Sequence, residues 1–316
     1  MKTKTSTKAL NNTKTMKRDR VTQMKLWSFC IIPILLIVVF CYIPMVGIII
    51  AFKDYRYDKG IFGSPWVGFN NFKFFFESNE FFRITWNTLS MNLIFIVVGI
   101  ACAVLVAVML FEIRSKLKVK TFHTILITPH FVSWVIVAYV VYGFLNPEYG
   151  LVNQFLTNIG MEKIQFYSIP GVWPVILLIS FIWKHVGMDS VLYYATLMGI
   201  DESLFEAAAL DGATEIQKAR YITIPSLIPI ITLLAIMKIG GIFRADFGLF
   251  YQVPRNVGAL YETTDVIDTY IFRNLRTLGN IGMSSAVGLL QSVVGFVLVL
   301  LTNYLSKKVD PDCGLF

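Results

Sequence analysis

Charge is scarce in this chain. Only 15% of its 316 residues are Asp, Glu, Lys or Arg, while 56% are hydrophobic, and a soluble domain carries about a quarter charged residues. The shortage excludes an ordinary water-soluble fold. Cysteine is also sparse: Cys30, Cys41, Cys102 and Cys313 stand alone, without metal-ligand spacing or a disulfide pattern. Three of them lie in apolar runs and read as small packing residues. The histidines His123, His130 and His185 lack any HExxH arrangement. His185, beside Trp183 and Lys184, reads as an anchor at a span end. No GxxxxGK[ST] loop is present, so the chain has no P-loop for ATP. The serines of the 282–288 segment make no GxSxG elbow and read as small residues for close helix packing. A membrane enzyme therefore lacks its catalytic constellation. Carboxylates are almost missing from the apolar interiors, which disfavours the alternative of a stand-alone, ion-coupled secondary transporter or channel.

What is present is apolar length. The hydrophobic residues gather into runs of about 20, enough to cross a bilayer core. Six spans are expected, at about 26–52, 85–111, 122–145, 173–186, 227–247 and 284–305, the fourth being short and able to extend further as an amphipathic helix. The first carries Pro33 and Pro44 as kinks, the third Pro129 near its start, and the fifth is interrupted at Gly240 and Gly241. This is an all-α membrane protein in one integral domain, 26–306, in the lipid bilayer. A basic tail at 1–25, expected to be disordered, holds eight Lys or Arg against one acid, and a short tail follows at 307–316. The net charge of +8 sits largely in the N-terminal tail and short loops. It marks orientation and carries no sign of a nucleic-acid partner. The tail, the basic loop 112–120 and Lys307–Lys308 fall on one side, so the N and C termini are expected in the cytoplasm. The segments 53–83, 146–170 and 248–283 are then external.

The same alternation places the polar interval 201–225 in the cytoplasm. It reads as helix, glycine, helix. Asp201 can cap 202–210, Gly212 can adopt the left-handed backbone that ends it, Thr214 with Gln217 forms a capping box, and Pro225 stops the second helix. Phe205, Ala208 and Ala209 share one face.

Within that interval stand Glu206-Ala207-Ala208, three residues, Gly212, nine residues, then Ile222-Thr223-Ile224-Pro225. The spacing resembles the EAA signature of ABC importer permeases, which ends I-x-L-P, with Ile224 in place of leucine. Asp211 and Ala213 around Gly212 match its common DGA form. The stretches WVGFNNFKFFF at 66–76, FRITWNTL at 82–89, 247–275 and 281–305 resemble the sugar-importer branch typified by maltose and glycerol-phosphate systems, and within it the importers of polysaccharide fragments. The resemblance covers about 25–316. It implies a type I ABC importer permease fold in a bacterial cell membrane. It also implies a second, homologous permease, two cytoplasmic ATPase subunits, an extracellular solute-binding lipoprotein and an oligosaccharide cargo. ATP and Mg would reside on the ATPases, and this chain would bind no cofactor. Carried over, Glu206, Ala207, Ala208, Asp211, Gly212, Ile222 and Pro225 form the ATPase-coupling motif, with Glu206 as its charged contact.

Polar and aromatic residues inside the spans are candidates for the substrate path. They are Asn92, Trp134, Tyr139, Tyr142, Trp183, Lys238 and Gln291. Asp54, Arg56, Asp58, Arg255, Glu262, Asp265 and Asp268 are expected to face the binding protein from the external loops.

Overall fold

The computed structural model describes residues 20–309. The chain divides into two units, one ending at Ile49 and one beginning at Ile50. In the first, helix α1 (Arg20–Ile37) passes into a π-helical turn at Val38–Tyr42 and a 3-10 helix that begins at Ile43. Residues 20–25 are thus helical rather than part of a disordered tail, and 1–19 lie outside the described residues. The π turn ends two residues before Pro44. A second one, Ala219–Thr223, ends two residues before Pro225. Proline cannot donate to the carbonyl four residues back and its ring crowds that carbonyl; a widened turn relieves both problems without ending the helix. Pro225 therefore does not stop the second polar helix. One apolar helical run continues through it from Glu215 to Gly240.

The second unit is nearly all helical. Its long elements are α2 (Phe81–Phe111), α3 (Lys116–Ile127), α4 (Trp134–Leu145), α5 (Trp173–Leu197), α6 (Glu202–Leu210), α7 (Ile224–Gly240), α8 (Ile267–Arg276) and α9 (Ile281–Val309). Among the described residues five helices are long and apolar enough to cross a membrane. The pair Lys116–Phe131 and Trp134–Leu145, bent by 98°, makes a sixth, broken span. Three boundaries differ from the sequence reading. The third span is split at Val132–Ser133. The fourth runs on to Leu197, because Lys184 and Asp189 find partners inside the bundle and His185 lies 3.8 Å from Asp246. The fifth ends at Gly240, and a non-helical segment leads to Asp246.

α2 and α5 form the central pair. Gly99, Ala103 and Ala107 fall four residues apart on α2, and the two alanines are fully buried. Small residues at this spacing let backbones approach closely, which is how membrane helices gain packing energy. Around them Val186, Tyr193, Leu197 and Leu227 close one core cluster. A second cluster joins Met91, Phe95, Trp173 and Leu177 to Leu249, Phe250, Val253 and Leu260, so the 247–266 segment is packed onto the span ends. Of the residues expected at a solvated docking face, Asp265 is buried and Asp268 half-buried instead. Asp265 is 1% exposed and pairs with Arg273, while Asp268 accepts from Ala245 N and Gln291 Nε2. Cys30 and Cys41 are exposed rather than packed, and Cys102 is half-buried.

Candidate functional site

The polar interval is built as its local chemistry dictates. Asp201 caps α6 by accepting from Ser203 N at 3.0 Å, and that donor holds its carboxyl below the usual range. Gly212 closes the helix at φ +76°, where a Cβ would clash with its own carbonyl. Thr214 and Gln217 form the reciprocal capping box at 2.8 and 3.3 Å. Phe205 and Ala208 turn inward, and the Phe205 ring meets Phe111 at the end of α2, 5.5 Å between centroids. Glu112, next along, is pushed up by burial and then by the neighbouring Glu215 carboxylate; Lys218, 3.0 Å from Glu215, opposes this. The loop is therefore braced on the α2 end, and Glu206, Ala207, Leu210, Asp211 and Ile216 remain exposed. Leu210 is 90% exposed and Ile216 81% exposed on this interval.

A second constellation surrounds the two breaks in the spans. Backbone that leaves a helix within the bilayer must find partners in protein. After Gly240 the carbonyls of Ile242 and Arg244 accept from Asn92 Nδ2 at 2.7 and 3.2 Å, and that of Phe243 accepts from Gln291 Nε2. Asn92 lies about 17 Å along α2 from Phe81, and Gln291 about 15 Å along α9 from Ile281, so this break lies within the apolar spans. At the other break Lys184 Nζ donates to the carbonyls of His130 and Val132. Asp246 ties the two together, accepting from Trp134 Nε1 at 2.7 Å with His185 Nε2 at 3.8 Å. His185 thus sits within the bundle rather than anchoring a span end. Lys238 Nζ pairs with Asp189 Oδ2 at 2.6 Å. A cavity of about 220 Å³ opens here, lined by Asn92, Phe181, Lys238, Arg244 and Asp246.

The Lys238–Asp189 pair yields a direct prediction. Lys238→Ala and Asp189→Ala should each lower thermal stability, and the double variant should lose less than the sum. A coupling of about 0.5–3 kcal/mol is expected for groups in contact. Additive losses in detergent-solubilised thermal unfolding would show that the pair contributes nothing.

The third region lies at the opposite end from the 201–225 interval. Tyr139 and Tyr142 of α4 face the 251–256 turn, where Arg255 lies over the Tyr142 ring at 4.1 Å. A cavity of about 230 Å³ is lined there by Tyr139, Tyr251, Gln252, Arg255 and Asn256.

Residues 81–311 match the family model of the binding-protein-dependent transport system inner membrane component. The chain belongs to this family. The permease is 34% identical to protein LplB of Bacillus subtilis strain 168 over 95% of its own length and 92% of that protein. It is 33% identical to the polygalacturonan/rhamnogalacturonan transport system permease protein YteP of the same organism, with 93% and 91% covered. Among solved structures it is similar to a bacterial ABC transporter involved in the import of the acidic polysaccharide alginate. There the TM-score is 0.84 at 34% identity, covering 93% of this chain and 98% of that one. The permease is thus a bacterial membrane transport component of the type I ABC importer fold, and its family is not one of enzymes.

Of the residues singled out in the permease from sequence, the fold brings Asn92, Trp134, Lys238 and Gln291 together around the breaks. Tyr139 lines the cavity beside the 251–256 turn. Trp183 is exposed on α5 and joins none of these contacts. Sequence reasoning missed Lys184, Asp189, Arg244 and Asp246. For Asp189 the signal was hidden by a fourth span ended too early, at 186, whereas Arg244 and Asp246 lay inside a fifth span drawn to 247, past the break at Gly240.

Proposed function

We propose that this chain is one permease half of an ATP-driven importer of a complex oligosaccharide. It pairs with a second, homologous permease, with cytoplasmic ATPase subunits that hold ATP and Mg, and with an external solute-binding lipoprotein. The N and C termini and the 201–225 loop lie in the cytoplasm, as the basic tail and loops favour. Residues 1–25 and 307–316 serve as cytoplasmic tails around the integral domain.

The observation that carries this reading is the coupling loop. It is capped at both helices, turned by Gly212, and braced through Phe205 on the α2 end, while Glu206 and Leu210 stay exposed. A loop held this firmly and left uncovered is suited to transmit force from a docked ATPase. Closure of the ATPases on ATP moves the loop, and the loop moves α2 and the continuous 215–240 helix. The spans then rock between inward- and outward-open states, each favoured by a different ligand. The solute-binding partner is supported by the solved complex of the alginate transporter with its pentasaccharide-bound periplasmic protein. The oligosaccharide cargo is supported by the names of the relatives.

The test is Glu206→Lys in the assembled transporter. The variant should insert normally, lose copurifying ATPase, and reduce sugar-stimulated hydrolysis at least tenfold. Full hydrolysis and uptake by Glu206→Lys would overturn the docking assignment.

A further inference from the structure

Four basic side chains line the central and outer cavities or cap their edges, and only two are satisfied. Lys238 has Asp189, and Lys184 has two backbone carbonyls. Arg244 has neither: among the described residues no carboxylate lies within ion-pair distance of its guanidinium, and the group is exposed. Its own carbonyl is held by Asn92, which places it within the apolar spans. Asp268 feels its charge, but that carboxylate is already occupied by Ala245 N and Gln291. An unpaired guanidinium at that depth is costly unless it faces a water-filled path and an anion. Arg244 lines two cavities that meet at the break, of about 350 and 220 Å³.

Arg255 repeats the arrangement at the outer end. It too lacks a carboxylate partner among the described residues, and it lies over Tyr142 with Tyr139 beyond at 5.8 Å. Tyr167, whose side chain also feels Arg255, is pushed up to about 12 by burial, so no phenolate balances the charge at neutral pH. Arg255 and Asn256 are both held in left-handed backbone, at φ +58° and +50°, and the Tyr261 hydroxyl donates to Asn256 Oδ1 at 2.9 Å. Two successive non-glycine residues in this conformation are strained, and such strain persists where the surroundings impose it. The result is a fixed guanidinium beside tyrosine rings and the amides of Gln252 and Asn256. A planar fork of donors suits a carboxylate, and the rings suit the apolar faces of a sugar.

We propose that Arg255 and Arg244 are two successive subsites for the carboxylates of an anionic oligosaccharide, the first at the outer mouth and the second at the break within the apolar spans. The inference rests on the importer reading and specifies its cargo as a uronate-bearing chain. Neither arginine alone neutralises a polyanion, so the chain is passed from one to the other.

The complete transporter in phosphatidylcholine nanodiscs tests this with fluorescent trigalacturonate and its carboxyl-reduced, neutral counterpart. Wild type should bind the acidic sugar at least tenfold more tightly than the neutral one. Arg255→Gln and Arg244→Gln should each weaken trigalacturonate binding about tenfold, with little change for the neutral sugar. Arg255→Lys should recover part of the affinity, which a folding defect would not allow. Equal binding of both sugars, or full affinity in both Gln variants, would overturn the proposal. Displacement of the sugar by added phosphatidylglycerol at equal charge would reassign the subsites to lipid headgroups and overturn it as well. If trigalacturonate binds as expected yet neither sugar enters proteoliposomes with ATP, the importer reading fails while the anion subsites stand.

Discussion

Asp265→Ala is expected to destabilise the protein by about 3–5 kcal/mol, the usual cost of removing one partner from a buried ion pair. Asp265 has no exposed side-chain surface and accepts from Arg273 Nη1 at 3.0 Å and from Arg273 Nη2. Thr269 Oγ1 donates to it at 2.8 Å, and Arg83 approaches at 3.7 Å. Its removal strands the Arg273 guanidinium, whereas Arg83 keeps Glu80 at 3.3 Å and the Thr269 hydroxyl keeps the Val266 carbonyl at 2.9 Å. The Tyr261 ring, 4.2 Å from Arg273, holds that side chain in place and prevents its escape to water. The damage should reach the transport path. Asn87 Nδ2 donates to the carbonyls of Glu262 and Asp265, and Ile267 N donates to Thr88 Oγ1, so this network seats the 262–267 segment on α2. Thermal unfolding in detergent checks the stability loss. Asp265→Asn, which keeps the hydrogen-bond acceptor and loses the charge, should lie between wild type and Asp265→Ala. A shift in melting temperature too small to measure for Asp265→Ala would mean the network contributes little.

Gly187→Ala should be comparably severe for a different reason. A Cβ at Gly187 would stand 1.9 Å from the Leu126 carbonyl oxygen and 2.9 Å from Ile127 N. No side chain can yield there, because the obstacle is backbone. α5 and α3 would have to separate by more than an ångström, and Lys184, three residues away, would lose its grip on the carbonyls of His130 and Val132. Overpacking costs about 1–3 kcal/mol in a typical core, occasionally more, and a backbone obstacle places this case at the upper end. Gly143→Ala is the control, since a Cβ there meets nothing within 4 Å. The expected result is a clear loss of melting temperature and transport for Gly187→Ala, and neither for Gly143→Ala. Equal behaviour of the two would show that close backbone approach at Gly187 is unimportant.

The 201–225 loop was legible because its determinants are local. Asp201, Gly212, Thr214 and Gln217 act within four residues of themselves, so spacing alone foretold each cap. The spans were legible because apolar length is a property of contiguous sequence. The span ends of the third, fourth and fifth helices were not. Lys184, His185 and Asp189 look like a terminus when read in order, since a charge in lipid is costly. They belong to the helix interior because His130, Val132, Asp246 and Lys238, between 49 and 61 residues away in sequence, supply their partners. Asn92 and Gln291 were visible as polar residues out of place, but their task of holding the carbonyls at 242–244 depends on a break whose position only packing defines.

Sequence by itself determined that the chain is a membrane-embedded helical bundle, which loop carries the EAA spacing, and how that loop is turned and capped. These follow from composition, periodicity and contacts a few residues apart. Tertiary structure decided where the helices break, which intramembrane charges are paired, and that Arg244 and Arg255 are left without a carboxylate. A charge's cost depends on its distance from an opposite charge or a carbonyl, and those distances are set by the packing of α2, α5, α7 and α9 around one another.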